Sequence, residues 1–184
     1  MHLSSSHYRI FPITLLLFAC GCPDRPRAPL LRDDPVYQND REGFRFLAPD
    51  GWTMRAKSEV PSGSLEKQRT LVEYLRLTED KTAMLEVSVA NSREISDLPS
   101  DQAKPAFGIT QWNLVGSPEA ITIDGQEALR FHYLGKSGKP SITREVTVFR
   151  RKNRDYFFTG MYPESDTKAR DEIRRAVGST IWKS

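Results

Sequence analysis

The chain has 184 residues, with 27 Lys and Arg against 24 Asp and Glu and a formal net charge of +3. That near balance lacks the basic excess that a nucleic-acid footprint needs, so no nucleic-acid partner is expected. The two cysteines, Cys20 and Cys22, stand together near the N-terminus, so the rest of the chain has no internal disulfide and no thiolate cage for zinc.

Arg9 precedes the apolar run Phe11-Pro12-Ile13-Thr14-Leu15-Leu16-Leu17-Phe18-Ala19, which leads into Cys20. A basic residue, a short apolar core and a small residue form the order of a secretory signal. The core is too short to span a bilayer as a mature helix. The segment resembles a bacterial lipoprotein signal, in which cleavage falls just before the cysteine that takes the lipid. Cys20 has Leu17 and Ala19 at the favoured aliphatic and small positions, with the bulky Phe18 between them; Cys22, preceded by Gly21, is the alternative. Residues 1–19 are read as the signal and 20–42 as the lipidated cysteine with a tether rich in proline and charge. Buried acyl chains contribute about 0.8 kcal/mol per methylene, so the membrane partner is held through lipid without a polybasic patch.

Residues 43–184 have the size of one domain. Phe44 and Phe46 alternate with Arg45 and end at Pro49-Asp50-Gly51, followed by Trp52: a strand and a turn. Leu71 to Leu77 and Leu85 to Val89 alternate in the same way, and the polar Thr78-Glu79-Asp80-Lys81 between them predicts a hairpin. Residues 91–119 are interrupted by proline and glycine, with a short helix expected near Ser100–Ala106. Ile121 and Ile123 lead into Asp124-Gly125, the strongest hairpin signal in the chain. Beyond it Leu129, Phe131 and Tyr133 share one strand face, and Ala128, Arg130 and His132 the other. Ile142, Val146 and Val148 form the next strand; Lys152-Asn153-Arg154-Asp155 turns the chain into Tyr156–Tyr162, which Pro163 ends. Ala169, Ile173, Ala176 and Val177 then fall on one face of an amphipathic helix, with Ser165 or Asp166 as cap, Arg174 on the outer face and Gly178 as the C-terminal break. Ile181-Trp182 is expected to pack back onto the sheet. Hairpin-linked strands closed by a helix describe an α+β domain with an antiparallel sheet.

The pieces resemble a known family. Gly43-Phe44-Arg45-Phe46-Leu47-Ala48-Pro49-Asp50-Gly51-Trp52 resembles the opening strand and P-x-G-W turn of the PsbP-like superfamily. Ile123-Asp124-Gly125-Gln126-Glu127-Ala128 resembles its central hairpin, and Tyr156–Tyr162 with the helix ending in Ser179-Thr180-Ile181-Trp182 resembles its C-terminal signature. The resemblance covers residues 43–184. It implies an α-β-α sandwich around an antiparallel sheet, as in PsbP, Mog and DcrB-type proteins, and a binding or accessory role rather than catalysis. The matched motifs are structural and carry over no functional residue.

His132 is the one histidine beyond the signal. A general base suits histidine because it titrates near neutrality, but no G-x-S-x-G elbow accompanies it, and an ordinary strand residue is the stronger reading. Trp52 and Trp182 fall where the fold needs closing contacts. Trp112, in the irregular region, is the candidate for ligand or partner contact. Ser165, Asp166 and Glu172 read as a helix cap and a solvated face, and Arg150-Arg151-Lys152 with Arg154 as a solvated turn. No phosphate loop and no EF-hand pattern is present, so no catalytic, cofactor-binding or metal residue is assigned and no cofactor is expected. The resulting expectation is a lipid-anchored protein of the cell envelope that binds an unidentified envelope protein or small ligand. A small hydrolase using His132 and a purely structural lipoprotein are the alternatives.

Overall fold

The computed structural model describes residues 35–57, 68–78, 82–135 and 141–183. Cys20 and Cys22, with the signal and most of the tether, lie outside them. In chain order the elements are β1 (Val36–Asn39), β2 (Phe44–Leu47), β3 (Thr53–Lys57), β4 (Arg69–Leu77), β5 (Thr82–Asn91), a 3-10 turn (Ile95–Asp97), α1 (Leu98–Gln102), β6 (Trp112–Leu114), β7 (Glu119–Ile123), β8 (Gln126–Gly135), β9 (Ile142–Arg151), β10 (Arg154–Pro163), α2 (Thr167–Gly178) and β11 (Ile181–Trp182). The domain begins before residue 43: β1 pairs with β2, and Tyr37 is buried in the core.

The long strands form an eight-stranded antiparallel sheet in the order β3-β4-β5-β10-β9-β8-β6, with β7 also on β8. The turns that join them are those the sequence demands. Asp124 and Gly125, and likewise Lys152 and Asn153, have φ between 48° and 73°, as two-residue hairpin turns require. A smaller sheet, β1-β2-β11, lies with α2 over one face. There Phe44 packs edge-on against Tyr156 and Phe158, and Trp182 against Phe149 and Tyr156. A fully buried side chain such as Phe44 or Phe158 contributes about 1.5–3 kcal/mol, and Trp182, partly buried, closes the cluster.

Helix α2 buries the face its periodicity predicts: Ala169, Ile173, Ala176 and Val177. Asp166 caps it, accepting from the Ala169 N–H at 3.1 Å. It settles on β10 at Gly160, where an added Cβ would lie 2.6 Å from Ile173 Cγ2. The C-terminal end differs from expectation. Gly178 is the last helical residue, and Ser179 makes the break: its hydroxyl donates to Ala176 O and accepts from Leu47 N–H.

The second sheet face has its own core, with Leu98, Ile109, Trp112, Phe131, Tyr133 and Phe157 among its members. The irregular segment is therefore a roof. Its helix α1 starts two residues earlier than the sequence suggests and stops before Pro105.

Candidate functional site

The residues singled out by sequence fall on opposite faces of the sheet. His132 is on the face shared with α2, opposite Glu145 of β9 in register. Trp112 is on the roofed face, over Gly135. They do not form one site.

Around His132 the centre is Glu145, whose side chain is only 4% exposed. Arg174 reaches down from α2 and donates to it through Nε and Nη2, at 3.0 and 2.8 Å. Arg130 Nε lies 3.4 Å and His132 Nδ1 3.5 Å from its oxygens, and Tyr162 donates its hydroxyl at 3.4 Å. Burial pushes the Tyr162 phenol up to about 12, so it remains a donor. Arg174 is thus not an outward solvated residue, contrary to the helical-wheel expectation; its long stem lets the charged fork leave the outer face and meet a buried carboxylate. Beside His132, Glu145 could orient an imidazole, but among the described residues no hydroxyl pairs with that imidazole. The arrangement neutralises a buried carboxylate with flanking cations.

The other polar side chains near α2 are also engaged. Glu172 accepts from Trp52 Nε1 at 2.7 Å and from Arg76, and Arg76 also pairs with Asp166. Glu172 therefore does not belong to a free solvated face. In the basic hairpin Arg150 forks onto Asp155 through Nε and Nη2, Arg154 Nη1 donates to both oxygens of Glu42, and Arg151 stacks over Trp182. Among the described residues no cluster of three His, Cys, Asp or Glu side chains is placed to hold a metal.

The roofed face is different. Arg144, 6% exposed, lies between two aromatic rings, with its guanidinium carbon 5.6 Å from the centroids of Trp112 and of Phe107. Nη1 donates to the Gln102 backbone oxygen at 2.6 Å and Nη2 to Gln102 Oε1 at 2.8 Å. Nε is buried and has no acceptor, and no carboxylate forms an ion pair with Arg144 among the described residues. Burial accordingly holds the guanidinium below its usual pKa. Glu86, on β5 of the same sheet, makes no ion-pair contact with Arg144 but favours its charge through space, while burial raises the Glu86 carboxyl above its usual range. A buried ion without a counter-charge costs several kcal/mol. Two charged hydrogen bonds and two cation–π contacts, at about 0.5–3 kcal/mol each, offset part of that cost and leave donors unused.

Three local features build this site. Gly135 leaves the space into which Trp112 packs: a Cβ there would lie 2.7 Å from the indole Cζ3. Helix α1 delivers Gln102, and Tyr133 ties the roof down by donating to Pro99 O at 3.0 Å. Phe107 is held over Arg144 by a two-residue turn between Ala106 and Ile109, with φ of 59° at Phe107 and 76° at Gly108. A bulky residue in that left-handed region is strained. Sequence reading named Trp112 and missed Arg144, although Arg144 shares the strand parity of Ile142, Val146 and Val148.

No protein-family model and no curated protein matches the sequence. Solved structures do. The chain is similar to the cyanobacterial PsbP, CyanoP, of Synechocystis, with a TM-score of 0.56 at 18% identity, covering 81% of this chain and 92% of that one. The domain has the PsbP-like fold. PA94 of Pseudomonas aeruginosa, described as a putative regulator, gives 0.53 at 13% identity over 72% of this chain and 98% of its own. LpqN of Mycobacterium tuberculosis, involved in cell envelope biogenesis, gives 0.50 at 11% identity over 82% and 90%. The PsbP-like likeness agrees with the sequence resemblance over the body of the chain. The second helical layer of the expected sandwich is here the short α1 and its flanking loops.

Proposed function

We propose that this is a lipid-anchored protein of the bacterial cell envelope that acts as a non-catalytic binding or accessory module. The observation that carries the binding role is Arg144, buried between two aromatic rings with its Nε unpaired. A guanidinium held between aromatic rings suits recognition of a bound group. The PsbP-like fold and the envelope role of LpqN support the location, and the signal-like run before Cys20 supports the anchor. His132 belongs to the charge cluster around Glu145, which favours a structural role for it over that of a general base.

Two experiments test this reading. Mass spectrometry of the membrane-extracted protein is expected to show an acylated N-terminal Cys20, and Cys20→Ser to block processing; normal processing of Cys20→Ser with failure of Cys22→Ser moves the site to Cys22. Crosslinking from membranes, run beside a hydrolysis screen of wild type and His132→Ala, is expected to capture a partner or ligand and show no turnover. Turnover lost in an equally stable His132→Ala protein would replace this reading with the hydrolase.

A further inference from the structure

We propose that Arg144 anchors a binding site for a small organic anion, with a carboxylate or phosphate group on the guanidinium and an apolar body against Phe107 and Met161. This rests on the binding-module reading and names the ligand class of the same site. Arginine suits the role because its planar fork meets oxyanions through paired N–H donors. Gln102 occupies one hydrogen of Nη1 and one of Nη2 and fixes the fork's orientation, while the buried Nε–H stays without an acceptor. Nε–H and the one free Nη hydrogen parallel to it form the edge on which an oxyanion fits.

The neighbouring side chains suit an anion with an apolar body. Met161 stands directly beside Arg144 in the sheet register, and a thioether adapts to varied apolar shapes. Thr159, two residues along the same strand and on the same face, is 1% exposed, and its hydroxyl has no hydrogen-bond partner. Glu86 is the register partner of Thr159 on β5, and the unpaired Arg144 Nε and Thr159 hydroxyl are the two donors on this face that an incoming oxyanion would meet. Phe107 is 44% exposed and strained in φ, yet its ring covers the guanidinium. Asn before Gly would close the same turn without that strain. Strain held at an exposed aromatic that covers a buried cation is the pattern of a ligand clamp.

The test titrates residues 33–184, the compact unit that contains both cores, with octanoate, octyl phosphate, inorganic phosphate and 1-octanol by calorimetry. Saturable binding of octanoate or octyl phosphate is expected, at least tenfold tighter than octanol, and the tighter of the two identifies carboxylate or phosphate. Arg144→Met should bind at least tenfold more weakly, with an unfolding midpoint no lower than wild type, because replacing a buried charge by an apolar side chain is often neutral or stabilising. Phe107→Asn keeps the turn and serves if Arg144→Met does not fold; it should weaken binding about fivefold with an unchanged or higher midpoint. Octanol binding as tightly as the anions, or folded variants binding as wild type does, would overturn the assignment to Arg144. Inorganic phosphate binding as tightly as octyl phosphate would overturn the apolar part. A folded wild type that binds none of the four overturns the ligand class alone, whereas His132-dependent turnover of an octanoyl ester would overturn the binding-module reading beneath it.

Discussion

The seat of α2 on the sheet can be tested by adding one methyl group. In Gly160→Ala the new Cβ would lie 2.6 Å from Ile173 Cγ2, 3.0 Å from Cδ1 and 3.5 Å from Cβ. Carbon atoms prefer about 3.5–4.0 Å, so the first two contacts overlap by about 0.5–1 Å while the third is comfortable. Overpacking of this kind costs about 1–3 kcal/mol. Ile173→Ala removes both offending carbons from a side chain that is 1% exposed, at about 2–5 kcal/mol. In the double variant the clash is gone and the methyl at position 160 fills part of the void. The pair should therefore cost at least about 1 kcal/mol less than the sum of the singles, a coupling well above the ~0.3–0.5 kcal/mol scatter of independent sites. Urea unfolding of the four proteins at constant m-value measures the cycle. Additive costs would refute the placement of Ile173 against Gly160.

Arg174→Ala removes the Nε and Nη2 donors from the buried Glu145. Because Arg174 is 40% exposed, the cost discounted for solvent is about 1–2 kcal/mol in urea unfolding, while Asp171→Ala, at 67% side-chain exposure, should stay within about 0.5 kcal/mol of wild type. Burial raises the Glu86 carboxyl above its usual 4.5, so the folded state binds its proton more tightly than the unfolded chain, and ionisation lowers stability as pH rises through the raised value. Glu86→Gln should therefore be more stable than wild type at pH 7, with the gain shrinking below the unfolded carboxyl range; a gain that grows on acidification contradicts this sign. Gly135→Ala would push a Cβ into Trp112 and Ile109, so an unfolding free energy lowered by about 1–3 kcal/mol and a changed Trp112 emission are expected.

The sheet was legible wherever a strand is long and one of its faces is plainly apolar. Leu85, Val87 and Val89 on β5 and Leu129, Phe131 and Tyr133 on β8 alternate cleanly, and Asp124-Gly125 fixes a register between neighbours. The PsbP-like order of parts was legible for the same reason, since its markers are turn residues and aromatic strands. Four short strands were not. β1 and β11 are held by pairing with β2, and β11 comes from the far end of the chain; β3 and β6 are brief edge strands with exposed side chains such as Met54 and Leu114. The site was half legible. Trp112 drew notice as an aromatic in a broken segment, but Arg144 sits between Thr143 and Glu145 in a run that reads as half polar. Its place on the buried face follows from the parity of Ile142 and Val146. Its lack of an ion-pair contact depends on what the roof brings over it, which a periodic pattern does not encode. Arg174 was misplaced because a helical wheel locates the Cβ and not the end of a long side chain.

The most direct measurement follows the side-chain Nε–H resonance of Arg144 by nitrogen-edited NMR of residues 33–184 during titration with octanoate and octyl phosphate. Binding at the guanidinium predicts that this resonance, assigned by its absence in Arg144→Met, shifts saturably and exchanges more slowly with solvent as an acceptor reaches Nε. An Arg144 resonance that stays fixed while ligand saturates the protein would contradict the site.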